Sequence, residues 1–90
     1  MRIELKKFGE VLTSRPAGKE AIAAIRPSLD LNANKIEIDF AGVLSLSPSW
    51  ADEFFRVLEE IYGDKVIYLP SDNPSVRATL KILVVEKNSK

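Results

Sequence analysis

The stretch Lys35 to Tyr62 constrains the fold most, because the spacing of its apolar residues changes partway along it. In Lys35-Ile36-Glu37-Ile38-Asp39-Phe40 apolar residues alternate, which places Ile36, Ile38 and Phe40 on one face of a strand. From Pro48 the period lengthens. Ala51, Phe54, Phe55, Leu58 and Ile61 recur at i, i+3, i+4, i+7, the stripe of a helix with one buried side. A short serine-containing turn, Ala41 to Ser47, joins the two. In open α/β sheets, turns at the carboxyl ends of strands present ligand and partner surfaces, so a working site is expected here.

The remaining chain repeats the alternation. Arg2 to Lys7 interleaves Ile3 and Leu5 with charged residues, the pattern of a strand with one wet face at or near a sheet edge. Gly9 breaks it, and Gly9-Glu10-Val11-Leu12 leads into Thr13-Ser14-Arg15-Pro16, a helix start in which Ser14 or Thr13 caps and Pro16 fits the first turn. That helix is expected to run to about Arg26 and to bury Ala17, Ala21, Ile22 and Ile25 close against the sheet. Pro27 stops it, and Ser28 to Asn34 reads as a loop anchored by Leu29 or Leu31. After Gly63-Asp64, the apolar run Lys65 to Leu69 predicts an interior parallel strand covered on both faces. Asn73 caps a last helix that opens at Pro74 and shares Val76, Thr79, Leu80 and Leu83 on one face. Its end, Leu80 to Val85, favours helix over strand, and Glu86 to Lys90 reads as a frayed tail. The order predicts an α/β fold over residues 1–90 as one domain, with a mostly parallel sheet of three to four strands and helices packed on it.

Composition narrows the chemistry. The 13 basic and 13 acidic side chains cancel and are spread along the chain, which argues against a nucleic-acid binder. Cysteine and histidine are both absent, removing disulfides, thiolate metal sites, the commonest general base and the best nucleophile. No apolar run has the length of a membrane span, and the first residues lack the apolar core of a secretory signal. A soluble cytoplasmic protein without membrane partners is expected. A chain of 90 residues buries roughly 60–65% of its unfolded surface, for a stability on the order of 5 kcal/mol or a little more.

Four groups of residues carry a likeness to a known family. They are Leu12, Ser14, Arg15 and Ala17 at the first helix; Asp39-Phe40 with Gly42-Val43 at the strand end; Ser49-Trp50-Ala51-Asp52-Glu53 at the next helix; and Asn73-Pro74-Ser75-Val76-Arg77 at the last. Together they resemble the STAS-like domain family of unknown function (the DUF4325 type), relatives of the anti-sigma-factor antagonists. The resemblance covers most of the chain and implies a small STAS-like domain. In the antagonists such a domain binds a GHKL-type serine kinase or a regulatory ATPase, and a phosphate on a serine at the start of the second helix switches binding off. Ser49 matches that serine by position; where the antagonists carry an aspartate two residues earlier and a glycine one later, this chain has Ser47 and Trp50.

The resemblance thus points to a partner-binding surface from Val43 to Glu53, with Asp39, Ser47, Ser49, Trp50, Asp52 and Glu53 as its candidate residues and Ser49 as a phosphorylation candidate. Elementary physics gives each a plainer role as well. Ser47 before Pro48 makes a helix cap, and Ser49 with Asp52 has the spacing of a capping box. A phosphate on Ser49 would gain about 0.3–1 kcal/mol from the helix dipole and be repelled by Asp52 and Glu53, so it would disturb a partner surface more than the fold. Trp50 is expected to be partly buried, an anchor for a partner to the extent that it is exposed. Asp39 is either a functional carboxylate or an acceptor for loop amides. Asp39, Asp52 and Glu53 make a poor metal set, because adjacent helical positions diverge. Ser14-Arg15 at a helix start would hold an anion or simply cap and face water.

The expected function is a non-enzymatic regulatory module that docks a protein, a GHKL-type ATPase or kinase, and needs no cofactor. Two alternatives remain open from sequence: a small carboxylate-based phosphotransfer or metal-dependent enzyme, and a homodimeric structural module pairing through the Arg2 to Lys7 edge.

Overall fold

In the computed structural model, residues 1–88 are described, as five strands and three helices. In chain order they are β1 (Arg2–Glu4), β2 (Val11–Leu12), α1 (Arg15–Ile25), β3 (Ile36–Asp39), β4 (Ser45–Leu46), α2 (Pro48–Tyr62), β5 (Val66–Tyr68) and α3 (Pro74–Asn88). The main sheet has the order β1-β3-β5 and is parallel throughout, with Ile3 opposite Ile38 and Ile36 opposite Val66. Three strands with helices between them make the small α/β domain that the alternation predicts.

Side-chain alternation makes this sheet one-sided. Ile3, Ile36 and Ile38 face the core, joined by the partly buried Val66 and Tyr68, while Arg2, Glu4, Glu37 and Asp39 occupy the other face. On that wet face Arg2 reaches Asp39 at 3.6 Å and Lys35 reaches Glu37 at 3.9 Å. The reading of Lys65 to Leu69 as an interior strand covered on both faces is therefore corrected. β5 is an edge strand, and its Ile67 is 41% exposed beside Glu37. The apolar run reflects packing on one side only, where the Tyr68 ring meets Phe55 edge-on at 5.0 Å.

The first helix also lies differently from expectation. α1 packs chiefly on α2, and it does so through Gly18, Ala21 and Ile22, while Ala17 is exposed. The closest approach is at Gly18, where an added Cβ would stand 2.6 Å from the Trp50 carbonyl oxygen. Beneath it Trp50 stacks on Phe54 at 4.9 Å, and Phe8, Phe40 and Phe55 extend the aromatic cluster. In the loop before β3, Leu29 and Ala33 pack on the core, Leu31 is exposed, and the Tyr62 hydroxyl donates to the Asp30 carbonyl at 2.8 Å.

Both chain ends are shorter or longer than their patterns suggest. β1 stops at Glu4, and Leu5–Phe8 tighten into a 3-10 turn that closes on Gly9, whose φ of 131° suits a residue without a Cβ. α3 continues to Asn88, so Leu80 to Val85 is helical and Glu86 to Asn88 are part of the helix rather than a frayed tail. Ser89 and Lys90 lie outside the described residues.

Candidate functional site

Two helices start side by side, and one serine joins them. The Ser47 hydroxyl donates to the Thr13 carbonyl at 2.5 Å while its oxygen accepts the Trp50 amide at 3.2 Å, so it caps α2 and ties it to the residue before the α1 cap. Ser14 caps α1 by accepting the Ala17 amide at 3.2 Å. These are the local requirements of helix starts, whose first amides have no partner within the helix. With Ser47 as cap, Ser49 falls in the first turn as the second helical residue, so the expected Ser49–Asp52 capping box does not form. Among the described residues the half-buried Ser49 hydroxyl has no hydrogen-bond partner.

The turn before α2 is held from both sides. On one side the Glu10 carbonyl accepts the amides of Leu44 (2.8 Å) and Ser45 (3.1 Å), and β2 pairs with β4 in parallel, Val11 opposite Ser45 and Leu12 opposite Leu46. On the other side stands the start of α3. Asn73 donates through its side-chain amide to the carbonyls of Val43 and Leu44, each at 3.0 Å, while its oxygen caps α3 by accepting the amides of Ser75 and Val76. The Ser75 hydroxyl accepts the Leu46 amide at 3.0 Å, and Ser75 and Thr79 both donate to the Leu46 carbonyl. Leu12, Val43 and Leu46 are buried under this framework, while Val11 (63% exposed) and Leu44 (62%) stand out from it.

Charge on the helix start is balanced across the two helices. One nitrogen of the Arg15 guanidinium donates to Asp52 at 3.0 Å and to Glu53 at 2.9 Å, and Arg56 adds a 3.4 Å contact to Glu53. Bonding to Asp52 first and Glu53 second raises the already high pKa of Arg15. The Ser14-Arg15 pair is thus occupied as cap and ion-pair partner. Asp39 has its own company: it accepts the Ala41 amide at 2.9 Å and pairs with Arg2. Asp39, Asp52 and Glu53 do not converge, and among the described residues no group of three or more acidic side chains is placed to hold a metal ion.

Of the residues singled out by sequence, Ser47, Ser49, Asp52 and Glu53 gather at the start of α2, and Asp39 serves the loop after β3. Trp50 is corrected. It is 1% exposed, enclosed by Phe8, Phe54 and Phe55, so it supports the surface from below and does not stand on it. Val11, the pairing of Arg15 with Asp52 and Glu53, and the clamp by Asn73 on the turn are the site features that sequence reasoning missed.

A family model for a STAS-like domain of unknown function (DUF4325) matches residues 17–77, more than half of the chain. The chain belongs to that family. The span matched in this STAS-like domain runs from α1 to the first turn of α3, taking in the turn and the whole of α2, while β1, β2 and Arg15 precede it. No curated protein and no solved structure matches the chain. Among the described residues no helix of this STAS-like domain is long and apolar enough to cross a membrane.

Proposed function

We propose that this STAS-like domain is a non-catalytic regulatory module that docks a protein partner of the GHKL-type ATPase or kinase class through the surface from Val43 to Glu53, joined by Val11. The observation that carries the proposal is the exposed pair Val11 and Leu44, fixed on hydrogen-bonded backbone beside the start of α2. Two large apolar side chains on a braced turn lose little conformational freedom on binding, which favours an interface. Asp52 and Glu53 then form a polar rim, and Ser49 stands in the first turn of α2, ahead of both.

Phosphorylation of Ser49 would act on this surface through Arg15. A dianionic group in the first turn of α2 is favoured by the helix dipole, and it would compete with Asp52 and Glu53, one turn further on, for the Arg15 guanidinium. The rearranged charge would face the partner, leaving the core under Trp50 intact.

Titration calorimetry against a purified GHKL-type ATPase from the same organism tests the reading. Leu44→Asp and Ser49→Glu should each abolish binding or weaken it at least about tenfold, with little change in thermal stability, since both side chains lie outside the core. Binding that survives both substitutions would remove the proposed surface.

A further inference from the structure

The contact between Gly18 and Trp50 brings the N-terminal ends of α1 and α2 together, and beyond it the outer side of the helix pair holds an open groove of about 680 Å³. Its floor is apolar, made by Ile22 and Ala23 of α1 and Val57 of α2, and it extends from Lys19 to Pro27 on one side and from Glu53 to Glu60 on the other. From Lys19 to Arg26 is about two helical turns, or about 10 Å.

The rim is unevenly charged. Lys19 and Arg26 stand two turns apart on α1 with no ion pair among the described residues. Across the groove Arg56 is matched to Glu53, which Arg15 also holds, and Glu60 at the far end is the remaining acid. The α1 side therefore presents two unmatched cations beside an apolar floor. A groove open along its length cannot enclose a small molecule, which needs most of its surface buried. It fits an element as long as itself.

We infer that the α1–α2 groove receives an acidic amphipathic helix of a partner protein, its apolar ridge on Ile22, Ala23 and Val57 and its carboxylates, two turns apart, against Lys19 and Arg26. This is the helix-in-groove mode, in which side chains at i, i+3, i+4 and i+7 fill the floor and flanking charges set the register. A second copy of this chain does not supply such a helix. α3 carries Arg77 and Lys81, and the acids of α2 sit on the helix that forms the groove. The groove shares Glu53 with the docking surface proposed above, while its floor of Ile22, Ala23 and Val57 and its cations Lys19 and Arg26 lie outside the Val43 to Glu53 stretch and Val11.

The test uses the isotope-labelled full chain and a designed peptide of about 14 residues, four turns long, with a leucine stripe and glutamates two turns apart. A second peptide replaces its glutamates by lysines. Amide shifts should saturate at Ile22, Ala23 and Val57 with the acidic peptide and be absent with the basic one. Lys19→Glu with Arg26→Glu, both exposed and free of the core, should weaken the acidic peptide about tenfold and admit the basic one. Leu44→Asp should leave both results unchanged. Shifts that map elsewhere, equal binding of the two peptides, indifference to charge reversal, or shifts at these residues with anionic phosphatidylglycerol vesicles and not with the peptide would each overturn the inference.

Discussion

A methyl group on Gly18 would have to occupy the space of the Trp50 backbone, and this decides the sign of its most informative substitution. Gly to Ala inside a helix ordinarily gains about 0.5–1 kcal/mol. Here the steric demand costs more, so Gly18→Ala should lower stability by about 1–3 kcal/mol, seen as a lower urea midpoint with the slope unchanged. Trp50→Ala should be more damaging, at about 3–5 kcal/mol, close to the whole stability of a chain this size, whereas Trp50→Phe should remain folded. Loss of partner binding by Trp50→Ala would therefore report unfolding, which is why Leu44 and Ser49 are the better probes. Local signals at single positions are legible in the sequence. Ser14, Ser47 and Asn73 announce themselves as caps because a short polar side chain stands just before a proline-led helix. Gly18 and Trp50 are not legible in this way. Their meaning depends on two helices meeting, and no spacing within either helix encodes where the other will lie.

Among the elements, the start of α3 does two jobs with one residue. Asn73 caps the helix with its oxygen and holds the turn carbonyls of Val43 and Leu44 with its nitrogen. Asn73→Ala should cost about 1–2 kcal/mol and speed hydrogen exchange at Leu44 to Leu46. Asn73→Asp separates the jobs: it keeps the cap acceptor and sets a carboxylate against two carbonyl oxygens, so fast exchange at the turn should persist while the first turn of α3 stays protected. Exchange that is unchanged in both variants would show that the turn does not depend on α3. The alternation of strands and helices, and the extent of α2 in particular, can be read from periodicity alone. The β2–β4 ladder cannot. Each strand contributes two residues, too few for any period, and their pairing is created by the turn and by α3.

The molecule as a whole has two tyrosines, and folding makes both harder to ionise. Burial, with the nearby charge of Asp30, raises the Tyr62 pKa; burial, with a hydrogen bond donated to Glu59, raises that of Tyr68 far above its usual 10. The folded state thus keeps protons that the unfolded chain releases. Stability is whole below pH 10 and should fall as the pH rises beyond it. In an alkaline titration, phenolate absorbance should stay low near pH 10 and appear together with loss of helical circular dichroism. Ionisation near pH 10 with the fold intact would contradict this placement of the rings. The one-sided sheet is half legible at this scale. Glu37 and Asp39 between Ile36, Ile38 and Phe40 mark a wet face on β3, but the apolar run at β5 hides its position at the edge.

Among the described residues every ladder is parallel and joins distant stretches: Ile3 with Ile38, Ile36 with Val66, Leu12 with Leu46. No hairpin is present among them to nucleate a sheet, so loop closure over roughly 30 residues precedes any strand pairing in refolding. The helices need no such closure. During synthesis β1 leaves the ribosome before β3, and it has no partner in this sheet until α1 and the loop beyond it have been made.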